Sequence, residues 1–176
     1  MNPLAKCLDC LAQKIWSSIP QTFTHLQLRF IAGATVAAGD DDWARLILNA
    51  QTTASGNYTR HELYGYNASI VSGYSTATSN TNLFFLMPGT TGSGWACGVT
   101  DILDYTSTNK YKTLRTLTGW DNNASSPYGA NASGRINLTS HLYLANTNPI
   151  TSIQINMYGT DIYRQYSQFA LYGVKA

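Results

Sequence analysis

The fold class this sequence predicts is all-β: an antiparallel, jelly-roll-like sandwich of about 8–10 strands with a short N-terminal arm. Three observations predict it. From Thr22 onward, apolar residues recur at every second position, the spacing that sends alternate side chains to opposite faces of a sheet. Clusters of Gly, Asn, Asp and Ser punctuate the chain at short intervals, with no helical stretch between them. Charged residues make up only 11% of the chain, against about 25% in an ordinary globular protein, while the hydrophobic fraction of 44% is near normal. The polar surface must then come from about 50 Thr, Ser and Asn residues, helped by 12 Tyr and 14 Gly, in a chain poor in the helix formers Glu and Lys.

Residues 2–16 are the one stretch that reads as helix. Asn2 suits a cap, Pro3 the first helical position, and Leu4, Cys7, Leu8, Leu11 and Ile15 recur at helical spacing. Ser17, Ser18 and Pro20 end that pattern, so the division is an arm over 1–20 and a sandwich domain over 21–176. In the first strand Leu26, Leu28 and Phe30 alternate with His25, Gln27 and Arg29. The remaining strands are expected at 43–48, 58–66, 69–74, 82–87, 99–105, 112–120, 135–144, 150–158 and 167–174. Asp121–Gly134 is the longest stretch without strand pattern, and compact domains seldom keep such a loop unless it binds something or moves.

Composition excludes several functions. The formal charge of +2 is spread over a sparse, mixed set with no Lys/Arg run, which argues against nucleic acid. No apolar run approaches the roughly 20 residues that cross a bilayer as a helix. Asp9, Gln13 and Lys14 interrupt the continuous apolar stretch that a signal peptide needs, so the expected setting is a cytosol or release from it by lysis.

Catalytic and ligand motifs are weak. Cys7 and Cys10 form a CxxC without a second ligand pair, and Cys97 stands alone, so no zinc site, disulfide framework or other cofactor is expected. His25, His61 and His141 fall on strands without metal-ligand spacing, and no GxSxG, HExxH, P-loop or GxGxxG is present. Asp101 and Asp104 have opposite faces if the strand continues through both, which parts them as a glycosidase pair. Asp40–Asp42 reads as a solvated turn or a set of oxygen ligands for Ca²⁺. Lys110, Lys112 and Arg115 read as the solvated face of a hairpin or a small basic patch. Trp43, Trp95, Trp120 and Tyr58, Tyr64, Tyr66 and Tyr74 read as core and interface aromatics or a sugar-stacking platform. Asn57, Asn67, Asn123, Asn131 and Asn137 head NxS/T triplets, which matter only in a secreted eukaryotic chain.

Four segments carry a resemblance: SSIPQTFTHLQLR (17–29), DILDYTSTNKYKTLRTLTGWDNN (101–123), ITSIQI (150–155) and YSQFALYGVKA (166–176). They resemble small β-sandwich proteins encoded among the virion structural genes of tailed phages, notably those of marine and freshwater bacteria. The closing LYG, followed by an apolar residue and Lys, is the most specific feature. Two departures stand out: the helical stripe over 3–16, where such chains have an extended strand, and the stretch NMYGTDIYRQYS, which lacks a Gly-Asn-Phe.

The resemblance implies a non-enzymatic virion component, assembled in the host cytoplasm, that decorates or cements the capsid. Its expected partners are the major capsid protein or other virion proteins and further copies of itself, as a homotrimer. The expected anchoring stripe is Leu4, Leu8, Leu11, Ile15 and Trp16. The alternative is a receptor- or glycan-binding module of a tail fibre or spike, making contact through Trp95, Trp120, Asp121, Asn122, Asn123 and Tyr128.

Overall fold

The computed structural model describes residues 5–8, 12–35, 42–51, 56–66, 68–78, 81–86, 95–120, 134–157 and 162–175. All of its named elements are strands: β1 (Ala5–Leu8), β2 (Gln13–Trp16), β3 (His25–Ala32), β4 (Asp42–Leu48), β5 (Tyr58–Tyr66), β6 (Ser69–Thr78), β7 (Thr81–Leu86), β8 (Ala96–Ile102), β9 (Lys112–Trp120), β10 (Arg135–Tyr143), β11 (Ile153–Met157) and β12 (Gln168–Val174). Every strand expected from Thr22 onward is present. The helix expected over 2–16 is not: its described residues form β1 and β2. β1 pairs antiparallel with β12, and β2 pairs antiparallel with β11. A short apolar stripe reads equally well as helix or strand, and here the backbone hydrogen bonds offered by two open sheet edges decide. The segment read as an arm thus adds an edge strand to each sheet.

One sheet has eight strands in the order β1-β12-β3-β8-β9-β10-β5-β6, and the other four in the order β2-β11-β4-β7. Without β5, β6, β9 and β10, the remaining eight run β1-β12-β3-β8 facing β2-β11-β4-β7, a jelly-roll-like succession. The two added hairpins widen only the larger sheet, beyond β8. That sheet consequently outreaches its partner, whose edge strand β7 packs across β9, β10 and β5.

Alternation builds the core. Leu26, Leu28 and Phe30 of β3 and Phe169 and Leu171 of β12 meet Leu46 and Leu48 of β4 and Ile153 and Ile155 of β11 between the sheets. Phe169 makes an edge contact with Tyr163 at 4.8 Å between ring centroids and a tilted one with Phe30 at 6.3 Å. Tyr58 is fully buried beside Tyr143, and its phenol oxygen accepts a hydrogen bond from the Leu48 amide at 3.0 Å. Burial pushes that phenol's pKa upward.

Gly98 sits directly across from Phe30 in the β3–β8 ladder. A Cβ there would lie 2.4 Å from the Phe30 ring and 2.7 Å from the Leu117 carbonyl oxygen, so the ring occupies the space the glycine leaves. Gly98→Ala is expected to cost about 1–3 kcal/mol, because the carbonyl belongs to the sheet ladder and cannot yield freely. The midpoint of urea unfolding reads this, and an unchanged midpoint would refute it.

Candidate interaction surface

The outer face of the large sheet is organised in cross-strand rows. Gln27, Asp101, Arg115, Ser140, His61 and Tyr74 stand in register from β3 to β6. Two residues further along the strands lie Arg29, Val99, Leu117, Leu138, Leu63 and Ser72, and beyond them Ile31, Cys97, Gly119, Ile136, Gly65 and Ile70. The larger apolar members of the last two rows, with Tyr74, are each between 42% and 79% exposed. Six strands at about 4.8 Å spacing and two rows make a footprint of roughly 300 Å², the size of the largest apolar patch on an ordinary monomer, which is often functional. Gly119 and Gly65 flank Ile136, which leaves a trough in a cleft of about 1190 Å³.

In the polar row Asp101 and Arg115 neutralise each other. Asp101 accepts hydrogen bonds from Gln27 at 2.9 Å and from Arg115 at 3.2 Å, and the Arg29 guanidinium donates to Gln27 at 2.8 Å. A partner covering this border meets Asp101 and Arg115 already paired, which lowers the cost of desolvating them.

The opposite face is apolar on β3 but carries buried polar side chains on β8, β9 and β10. Asn137, Thr139 and His141 alternate along β10 at 1–2% exposure, and their side chains have no hydrogen-bond partner among the described residues. Thr100 and Thr116 share a hydrogen bond at 2.9 Å, and Arg60 pairs with Glu62 at 3.4 Å. Desolvation, with a smaller repulsion from Arg60, holds the His141 pKa down at about 3, so its ring is neutral at pH 7. On β10, therefore, the polar phase points in and the apolar phase, Ile136 and Leu138, points out.

The structure separates several expected groups. Trp16 is 5% exposed in the chain's own core, while Ile15 faces outward at 48%. Leu8 lies in β1, and Leu4 and Leu11 lie outside the described residues. Trp95 and Trp120 do line one cleft, although Trp120 is only 8% exposed and the Arg164 guanidinium lies 4.8 Å from the Trp95 ring. Asp121, Asn122, Asn123 and Tyr128 fall outside the described residues. Trp43 faces the guanidinium groups of Arg60 and Arg135 at 5.3 and 5.9 Å, Tyr58 is buried and Tyr74 is on the outer face, so these aromatics form no common platform.

Asp101 and Asp104 each have their own cationic partners. β8 ends at Ile102, and Asp104 stands in the following turn, where a hydrogen bond from Lys110 at 2.9 Å holds its carboxyl below the usual range. Lys112, expected on a solvated hairpin face, is fully buried. Among the described residues no group of three or more His, Cys, Asp or Glu is placed to hold a metal ion. The outer rows escaped the sequence reading because Leu63, Leu117, Ile136 and Leu138 look like core residues until the sheet order shows which face is covered.

No family model, curated protein or solved structure matches this chain.

Proposed function

We propose that this chain is a non-enzymatic structural protein of a tailed-phage virion, which decorates or cements the capsid by docking the outer face of its eight-stranded sheet on other virion proteins. The observation that carries this reading is the inverted β10, with Asn137, Thr139 and His141 inside and Ile136 and Leu138 outside. A face meant to stay in water would have little use for Leu63, Leu117, Ile136, Leu138 and Ile70 exposed on neighbouring strands. Binding to assembled shells but not to free subunits would stabilise the shell by linkage. The setting comes from the four phage-like segments. The extended β2, leading into Ser17, removes one of the two departures from that pattern.

Purified protein mixed with tail-less heads is expected to bind saturably, and Leu117→Lys with Leu138→Lys to weaken that binding at least about tenfold while the melting temperature is kept. Both side chains are exposed, which is why the fold should tolerate the change. A second reading, a glycan-binding module, draws on the cleft that holds Trp95 and Trp120. Saturable binding to host cells, with none to heads, would establish it in place of the first.

A further inference from the structure

We propose that β6 is a pairing edge, through which two copies of this chain join antiparallel about a two-fold axis at Ser72 and fuse their large sheets into one. The pairing stands apart from the virion reading, since it needs only the second copy. An edge strand offers a row of open backbone donors and acceptors, and proteins that stay monomeric blunt such edges with shortness, charge, bulges or cover. The other three edges are blunted. β1 and β2 are four residues long and carry Lys6 and Lys14, while β7 pairs with β4 through a register shift at Ala44/Arg45 and packs across the other sheet.

Among the described residues β6 carries only one of these devices, a register shift against β5 between Tyr58 and Arg60, near its C-terminal end. It runs for ten residues, SIVSGYSTAT, without a charge or a proline, and its ladder to β5 is regular from Ser69 to Ser75. Its Ile70 and Tyr74 are the two most exposed large hydrophobic side chains among the described residues, at 79% and 75%. A two-fold axis at Ser72 sets Ile70 of each copy opposite Tyr74 of the other, an aromatic/β-branched pair of the kind that stabilises antiparallel sheets. The same axis sets Val71 against Gly73, beside which the Glu62 side chain lies. One strand supplies both halves of the match, as a closed two-fold interface requires. Pairing also brings the apolar rows of the two copies side by side on one wider face.

The test uses the full chain. Sedimentation and native mass spectrometry are expected to give a dimer that dissociates on dilution, and amide exchange across 69–75 should slow as concentration rises. Ser72→Lys and Ser72→Glu each place like charges across the axis, and each is expected to weaken self-association at least about tenfold. Ser72 is exposed, so both variants should fold, and mixing them one to one should restore a heterodimer. A wild-type chain that is monomeric at about 100 μM, or trimeric, would overturn the proposal. So would variants that stay dimeric, or that dissociate and fail to recombine.

Discussion

Lys112→Met is expected to lower stability by about 3–5 kcal/mol, a loss of about 10 °C or more in melting temperature for a chain of this size. Lys112 opens β9 with its side chain fully buried. Its ammonium donates to the carbonyls of Ser107 at 2.6 Å, Lys110 at 2.7 Å and Thr147 at 2.9 Å. An ammonium has three donors and no acceptor, so three carbonyls satisfy it completely. Desolvation lowers its pKa, and the nearby Asp104 carboxylate opposes that shift. Through these bonds one side chain ties the β8–β9 turn to the β10–β11 connection. Methionine keeps the stem and removes the donors, leaving the carbonyls without their shared partner. Calorimetry of the variant checks this, and a melting temperature within a degree or two of the wild type would show that the three bonds contribute little.

The second large effect is a loss of stability in mild acid. The His141 pKa, about 3 in the folded chain, lies below the usual 6.5, so between these values the unfolded chain binds more protons than the folded one. Stability is therefore highest above pH 6.5 and falls as the pH drops toward 3. At about 1.4 kcal/mol per pH unit, the loss between pH 6.5 and 5 is about 2 kcal/mol. The physical cause is that a proton on the ring would create a charge 2% exposed to water, beside Arg60 in the adjacent strand. His141→Leu, which keeps the volume and removes the titration, is expected to flatten this limb while leaving the chain at least as stable at pH 7. Urea unfolding at pH 7, 6 and 5 makes the comparison, and parallel losses in both proteins would assign the acid sensitivity to other groups.

The local signals for strands were strong enough to place ten of the twelve. On β3, the alternation of Leu26, Leu28 and Phe30 with His25, Gln27 and Arg29 also gave the buried face correctly. The first two strands were misread because four-residue edges leave only a short apolar stripe, and the partners that settle their conformation, β12 and β11, lie at the far end of the chain. Lys112 was misread for a similar reason. Its three carbonyl partners come from two separate connections, and only one of these is near it in sequence.

Of the candidate surface, the sequence held the residues but not their arrangement. Alternation within a strand separates two faces without saying which is covered, and a shift of one residue would exchange them. In β10 the apolar phase, Ile136 and Leu138, looks like the core side, yet the ladders to β9 and β5 turn it outward and put Asn137, Thr139 and His141 inside. Composition and period by themselves determined an all-β body with a polar, sparsely charged surface, because both are properties of short stretches of chain. Only the tertiary structure decided that the large sheet outreaches the small one and that the uncharged β6 stands last in it among the described strands. Those features depend on which strands become neighbours, and pairing between distant segments is not written in any one of them.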